Sequence, residues 1–131
     1  MIDLSVVVPV YKEEGNIRPF LKRLETAISP LGLRYEIIFC LDPSPDLSEE
    51  IIVSEIKRNQ SIKLLTFSRR FGQPAATIAG IFNSRGEACV VIDCDLQDPP
   101  EIIPAMYKKL SEGFDVVFAK RISRKGETYI K

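Results

Sequence analysis

Residues 4–10 read Leu-Ser-Val-Val-Val-Pro-Val, an apolar run that stops at the polar string Tyr11-Lys12-Glu13-Glu14-Gly15-Asn16. A run this rich in β-branched residues, without polar alternation, suits a strand buried on both faces of a sheet. The same grammar recurs outward from it. Asn16 can cap a helix in which Ile17, Phe20, Leu21, Leu24, Ala27 and Ile28 return at helical spacing, with Pro19 in the first turn and Pro30 at the end. Residues 35–41 (YEIIFCL) form a second strand. Asp46, followed by Glu49, resembles a capping box for a helix running to Arg58. Residues 62–67 read as a third strand. A glycine-containing turn at residues 70–73 then opens a small-residue helix over 74–82. Residues 88–93 (ACVVID) are a fourth strand. Asp98, Pro99 and Pro100 start a helix whose apolar stripe is Ile102, Ile103, Met106 and Leu110. Residues 115–119 (DVVFA) read as a fifth strand.

Strands alternating with helices imply crossover connections. The expected fold is therefore α/β, a mainly parallel sheet with helices on both faces. In open sheets of this kind, ligands bind beyond the carboxyl ends of the strands. The unusual polar residues fall at those ends: residues 9–13 after the first strand, Asp42 after the second and Arg69 after the third. Residues 93–97 follow the fourth strand and Arg121 the fifth. A purely structural distribution would scatter them over both edges.

The 131 residues allow one domain. Lys plus Arg is 18 and Asp plus Glu is 18, so the chain lacks the basic excess of a general nucleic-acid binder. Lys120, Arg121, Arg124, Lys125 and Lys131 crowd the end around Glu127, as a solvated tail would. There is no histidine, which excludes a histidine base or metal ligand. Cys40, Cys89 and Cys94 have no zinc-ligand spacing and read as small buried residues of a reducing compartment such as the cytosol. The start is no signal peptide. Apolar runs such as residues 37–41 fall far short of the ~20 residues a membrane-spanning helix needs, so the segment is expected to be soluble.

In an extended segment Asp93, Asp95 and Gln97 project to one side. Three hard oxygen donors there suit Mg²⁺ or Mn²⁺. Phosphatases with an aspartyl nucleophile also carry Asp-x-Asp, but after the first strand and followed by Thr or Val; here Leu96 follows, after the fourth strand. No G-x-G-x-x-G is present for a dinucleotide pyrophosphate. Tyr11 could instead stack on a nucleobase while Glu13 accepts from a base or ribose donor. Asp42 could accept from a nucleobase imide, although turn chemistry also explains it. Arg69, Arg70, Arg121 and Arg124 could clamp phosphates with their planar forks. Taken singly, each of these residues also fits an ordinary loop, cap or surface role.

Together they resemble a known family. S-V-V-V-P-V-Y-K-E-E-G-N-I (5–17), L-D-P-S-P-D (41–46), F-S-R-R-F-G-Q-P-A-A (67–76), D-C-D-L-Q-D-P-P-E (93–101) and V-V-F-A-K-R-I-S-R-K-G-E (116–127) occur in the order and spacing of the inverting GT-A glycosyltransferases. The chain is most similar to the polyprenyl-phosphate branch, typified by dolichol-phosphate mannose synthase and undecaprenyl-phosphate glucosyltransferases. The resemblance implies that Pro9, Tyr11, Glu13 and Asp42 meet the donor nucleoside. It assigns Asp93 and Asp95 to the sugar-nucleotide and its metal, as the catalytic pair, and Gln97 to the metal. Cys94, where Ala is usual, is carried with them to the nucleotide-sugar. Arg121 falls at the diphosphate or acceptor phosphate, with Arg124 a weaker candidate. Leu41 and Pro43 replace an Asp and a Gly of the usual second-strand loop, which bears on nucleotide identity.

The implied reaction is a single displacement with inversion, moving a hexose from a nucleotide-sugar, UDP-glucose by preference, to a polyprenyl phosphate. The implied cofactor is Mg²⁺ or Mn²⁺. Residues 1–131 would be the nucleotide-sugar-binding part of an incomplete GT-A domain, inactive alone. Later strands and any membrane helices would lie elsewhere in a full-length protein at the cytoplasmic face of a membrane. Membrane contact and a homo-oligomer are further expected partners, and nucleic acid is not one. Two other readings stay open at this point: a glycosyltransferase with a soluble or polysaccharide acceptor, and a non-catalytic nucleotide-binding module.

Overall fold

The apolar run at residues 4–10 becomes the central strand because both of its faces find a partner. The computed structural model describes residues 1–120. Its sheet comprises β1 (Leu4–Val10), β2 (Tyr35–Leu41), β3 (Ile62–Thr66) and β4 (Ala88–Val91). All four are parallel, in the order β3-β2-β1-β4, with Val7 in register with Ile38 on one side and Val91 on the other. Every residue of β1 is buried. Leu4, Val6, Val8 and Val10 enter the larger core with Ile17, Phe20, Leu21, Leu24 and Ile28 of α1 (Ile17–Ile28). Fully burying side chains of this size contributes ~2 kcal/mol each before the entropy of ordering them. Ile52 of α2 (Ser48–Arg58) and Ile103 of α4 (Ile103–Ser111) join that same core.

On the opposite face, Val7, Ile38 and Cys40 pack against Ala76 of α3 (Gln73–Asn83). The approach is close enough to require glycine. A Cβ on Gly80 would stand 2.3 Å from Val7 Cγ1 and 2.6 Å from Cys40 Sγ. The expected α/β sheet with helices on both faces is therefore present, and β1 is its switch point: the chain winds to β2 and β3 on one side and to β4 on the other. The crevice such a reversal opens lies beyond the carboxyl ends of β1 and β4.

The amino-terminal edge is closed by a polar hub. Buried Glu36 accepts from Ser5 Oγ at 2.6 Å, from the Arg85 amide at 2.7 Å and from the Lys63 ammonium, while Ser5 Oγ accepts from the Gly86 amide at 2.8 Å. Burial pushes the Glu36 carboxyl up, but the Lys63, Ser5 and Arg85 hydrogen bonds outweigh it and hold the group below its ordinary value.

Some expectations need correction. Residues 115–119 form no strand. They line a hollow of about 890 Å³ together with residues of β4 and α4, and without a ladder partner a strand-like composition alone does not make a strand. Cys89 is exposed rather than buried. Its register places it on the Val7 face of β4, where Val91 is also 43% exposed because α3 seats on β1 and β2. The cap of α2 is Leu47; Asp46 Oδ1 instead accepts the Ser48 amide at 3.1 Å. A 3₁₀ turn (Pro100–Ile102) precedes α4, with Pro99 rather than Asp98 at its start.

Candidate functional site

A cleft of about 240 Å³ opens at the switch point. Pro9, Val10, Tyr11 and Glu13 line it from the end of β1, Asp42 from the end of β2, and Asp93, Cys94 and Asp95 from beyond β4; Arg70, Gly72, Gln73 and Ala76 close it from the α3 side. The hollow beside β4 is larger, but its walls are mainly apolar. The smaller cleft gathers the polar groups, and we place the site there.

Each wall has a local cause. After β1, Lys12 takes a positive φ of 54°, and the loop that follows is tied to the start of α2. The Lys12 amide donates to Ser44 Oγ at 2.7 Å, the Glu13 amide to Ser48 Oγ at 3.1 Å and the Glu14 amide to Asp46 Oδ2 at 3.2 Å. Ser44 and Asp46 of the D-P-S-P-D loop, with Ser48 at the start of α2, thus hold the Tyr11 loop in place. Asn16 stands at the N-cap of α1 as expected, but its side chain makes no cap hydrogen bond; its Nδ2 donates to Glu13 Oε2 at 2.6 Å and aims that carboxylate. Arg70 stacks its guanidinium 3.9 Å from the Tyr11 ring centroid, whereas Arg69 lies over Phe71 at 4.4 Å. Of the two arginines, Arg70 lines the cleft.

Asp42 sits at the cleft floor, 3% exposed, and both of its oxygens hold the chain before α3. Oδ1 accepts from the Phe71 amide at 3.2 Å and Oδ2 from the Gly72 amide at 2.9 Å. Gly72 adopts φ of 91°, which an L side chain rarely tolerates. The turn it makes delivers Gln73, whose Nε2 donates to Asp93 Oδ1 at 2.7 Å.

Asp93 and Asp95 share the cleft, but the alternation expected through Gln97 does not form. Residues 94–98 bend, Leu96 takes φ of 68°, and the Gln97 amide folds back onto Asp95 Oδ1 at 3.1 Å. Gln97 therefore lines the larger hollow. Cys94 is 1% exposed; burial, then the carboxylates of Glu13, Asp95 and Asp93, push its thiol well above the ordinary range, so it stays neutral. It meets the cleft as a packing residue. Among the described residues no group of three or more His, Cys, Asp or Glu could by itself cage a metal. Two carboxylates on one wall nevertheless fit Mg²⁺ or Mn²⁺, since such an ion is usually held by one or two carboxylates with water and substrate phosphate completing its shell. Arg121 and Arg124 lie outside the described residues.

The sequence reading missed Gln73 and the loop-holding roles of Ser44, Ser48 and Asn16. Its one available signal for Gln73 was position, since the F-G-Q turn sits at the same sheet edge as the acids.

The family model for glycosyl transferase family 2 matches residues 5–131. An uncharacterized glycosyltransferase of Synechocystis sp. is 43% identical over 99% of this chain and 41% of its own length. The undecaprenyl-phosphate 4-deoxy-4-formamido-L-arabinose transferase of Pseudomonas aeruginosa is 39% identical over 98% of this chain and 38% of its own. The chain thus spans about two fifths of these curated relatives. A mannosyltransferase of Pyrobaculum calidifontis, solved with GDP-Man and Mn²⁺, shares the fold with a TM-score of 0.73 at 20% identity, over 86% of this chain and 35% of its own. S. aureus TarS 1–349 in complex with UDP-GlcNAc does so with a TM-score of 0.69 at 24% identity, over 85% and 32%.

Proposed function

The chain belongs to glycosyl transferase family 2, and on that footing we propose that residues 1–131 form the nucleotide-sugar-binding part of a metal-dependent inverting glycosyltransferase. Its donor is a nucleotide-sugar, UDP-glucose by preference, and its acceptor a polyprenyl phosphate. The observation that carries this reading is the single cleft at the β1/β4 switch point, where the Tyr11 ring, Glu13 and the Asp93–Asp95 pair face one space. Support for the acceptor comes from the undecaprenyl-phosphate transferase relative. The mannosyltransferase solved with Mn²⁺ supports a divalent ion.

In this reading the nucleoside enters along Pro9 and Tyr11, with Arg70 fixing the ring from its other side. Glu13, aimed by Asn16, accepts from the base or ribose. Asp93 and Asp95 hold Mg²⁺ or Mn²⁺, which when bound neutralises charge on the departing nucleoside diphosphate. Gln97, which the bend turns toward the larger hollow, does not line the cleft that would hold the ion. Arg121 is assigned to the diphosphate or acceptor phosphate. A phosphate acceptor is already anionic near neutral pH, so no strong base is required and the lack of histidine is no obstacle. The full-length protein is placed at the cytoplasmic face of a membrane. No helix among the described residues is long and apolar enough to cross one.

The test is Asp95→Asn in the full-length protein, with transfer of labelled sugar into the lipid phase as the readout. Loss of one preorganised charge contact to the reacting groups predicts a fall of roughly 10²–10³-fold. Full metal-dependent turnover by the variant refutes the reading. Label entering a soluble acceptor instead would keep the enzyme and change the acceptor.

A further inference from the structure

We propose that Gln73 is a positioning residue for Asp93, an uncharged clamp that fixes the carboxylate's orientation for a divalent cation and donor diphosphate while leaving its charge intact; this rests on the reading that Asp93 faces those groups. The contact is direct, Gln73 Nε2 to Asp93 Oδ1 at 2.7 Å, and it joins residues 20 positions apart. The backbone that presents Gln73 is fixed from both sides. Asp42 takes the amides of Phe71 and Gly72, and the positive φ of Gly72 turns the chain into the first residue of α3. Farther along, Gly80 lets α3 lie directly on Val7 and Cys40.

The chemistry of the side chain matters as much as its place. Asp93 follows β4 at the start of a bend, where nothing in the strand ladder fixes its χ1. A carboxylate offers about four acceptor positions, so one N–H donor orients it and leaves capacity for other partners. A lysine at position 73 would orient Asp93 too, but its positive charge would oppose the cation. A glutamate would repel Asp93. Only a neutral donor long enough to span the cleft orients without neutralising. Asp95 is treated the same way, its Oδ1 accepting the neutral Gln97 amide. Each acid of the pair thus accepts an uncharged donor. Partners of this kind typically govern metal affinity or activity by about 10–100-fold.

The experiment is calorimetric titration of Mn²⁺, alone and with UDP-glucose or GDP-mannose, into full-length wild type, Gln73→Met, Gln73→Lys, Asp93→Asn and the Gln73→Met/Asp93→Asn double variant. Thermal unfolding of each is measured alongside. Expected are metal-dependent donor binding by wild type and a ~10–100-fold loss for Gln73→Met at unchanged melting temperature. Gln73→Lys should lose at least as much. In the double variant, the loss should not exceed that of Asp93→Asn alone, because Gln73 acts through Asp93. Wild-type affinity in Gln73→Met overturns the proposal, as do fully additive losses in the double variant. Failure of Asp93→Asn to weaken binding by an active wild type overturns instead the underlying reading, and the proposal with it.

Discussion

Replacing Gly80 with Ala tests how the site is seated. In an ordinary exposed helix interior this change stabilises by ~1 kcal/mol through helix propensity alone. Here the new methyl would stand 2.3 Å from Val7 Cγ1 and 2.6 Å from Cys40 Sγ. Carbon contacts rest at about 3.5–4.0 Å, so α3 must lift from the sheet by roughly 1 Å or Val7 must leave its rotamer. Neither neighbour has room, since Val7 and Cys40 are both 0% exposed in the middle of β1 and β2. Overpacking of this kind costs about 1–3 kcal/mol. Two contacts this short with no room to relax belong to the upper part of that range, about 2–3 kcal/mol. After the propensity gain is subtracted, the net is a destabilisation of ~1–2 kcal/mol. With a mid-range urea slope of about 2 kcal/mol per molar, the unfolding midpoint should fall by ~0.5–1 M at unchanged slope. Because α3 begins at Gln73, donor affinity should fall as well. A midpoint that stays level or rises would refute the packing argument, since only the propensity effect would then remain.

Other perturbations give outcomes of different kinds. Glu36→Leu should cost about 2 kcal/mol, because it strands the Ser5 hydroxyl and the amide of Arg85; equilibrium unfolding measures it. The folded Glu36 carboxyl is held below its ordinary value of 4.5. Its contribution is therefore complete above that pH and lost as pH falls through the lowered value, and the acid limb of the stability profile should flatten in the Glu36→Leu variant. Asp42→Asn replaces an acceptor of the Phe71 or Gly72 amide with a donor, so it should destabilise by about 1–3 kcal/mol and weaken donor binding. Thermal unfolding and titration read the two effects. Cys94→Ala should leave metal-dependent donor affinity within about twofold, since a buried neutral thiol contributes packing alone; a tenfold loss would show a direct contact.

The strands and helices that carry their own pattern were legible. Residues 4–10 and 35–41 are strands to the residue, and the stripe from Ile17 to Ile28 is the buried face of α1. The polar residues at the carboxyl edge do meet: Tyr11, Glu13, Asp42, Asp93 and Asp95 line one cleft. What failed depended on partners the local pattern does not encode. The apolar string at 115–119 has the composition of a strand but faces β4 across a hollow. The extended reading of residues 93–97 assumed alternation that the positive φ of Leu96 breaks. The polar network around the cleft was also hidden. Gln73 with Asp93, Asn16 with Glu13 and Ser48 with the Glu13 amide arise from long-range closure or from a loop bend, and no spacing rule reports them.

The central claim is that the β1/β4 cleft binds a nucleotide-sugar through a divalent ion held by Asp93 and Asp95. It is tested most directly by titrating UDP-glucose and GDP-mannose into the folded full-length protein with Mn²⁺, and again with EDTA. The account predicts saturable binding of one donor that disappears with EDTA and in Asp93→Asn. Binding of neither donor, or binding indifferent to EDTA and to Asp93, would contradict it.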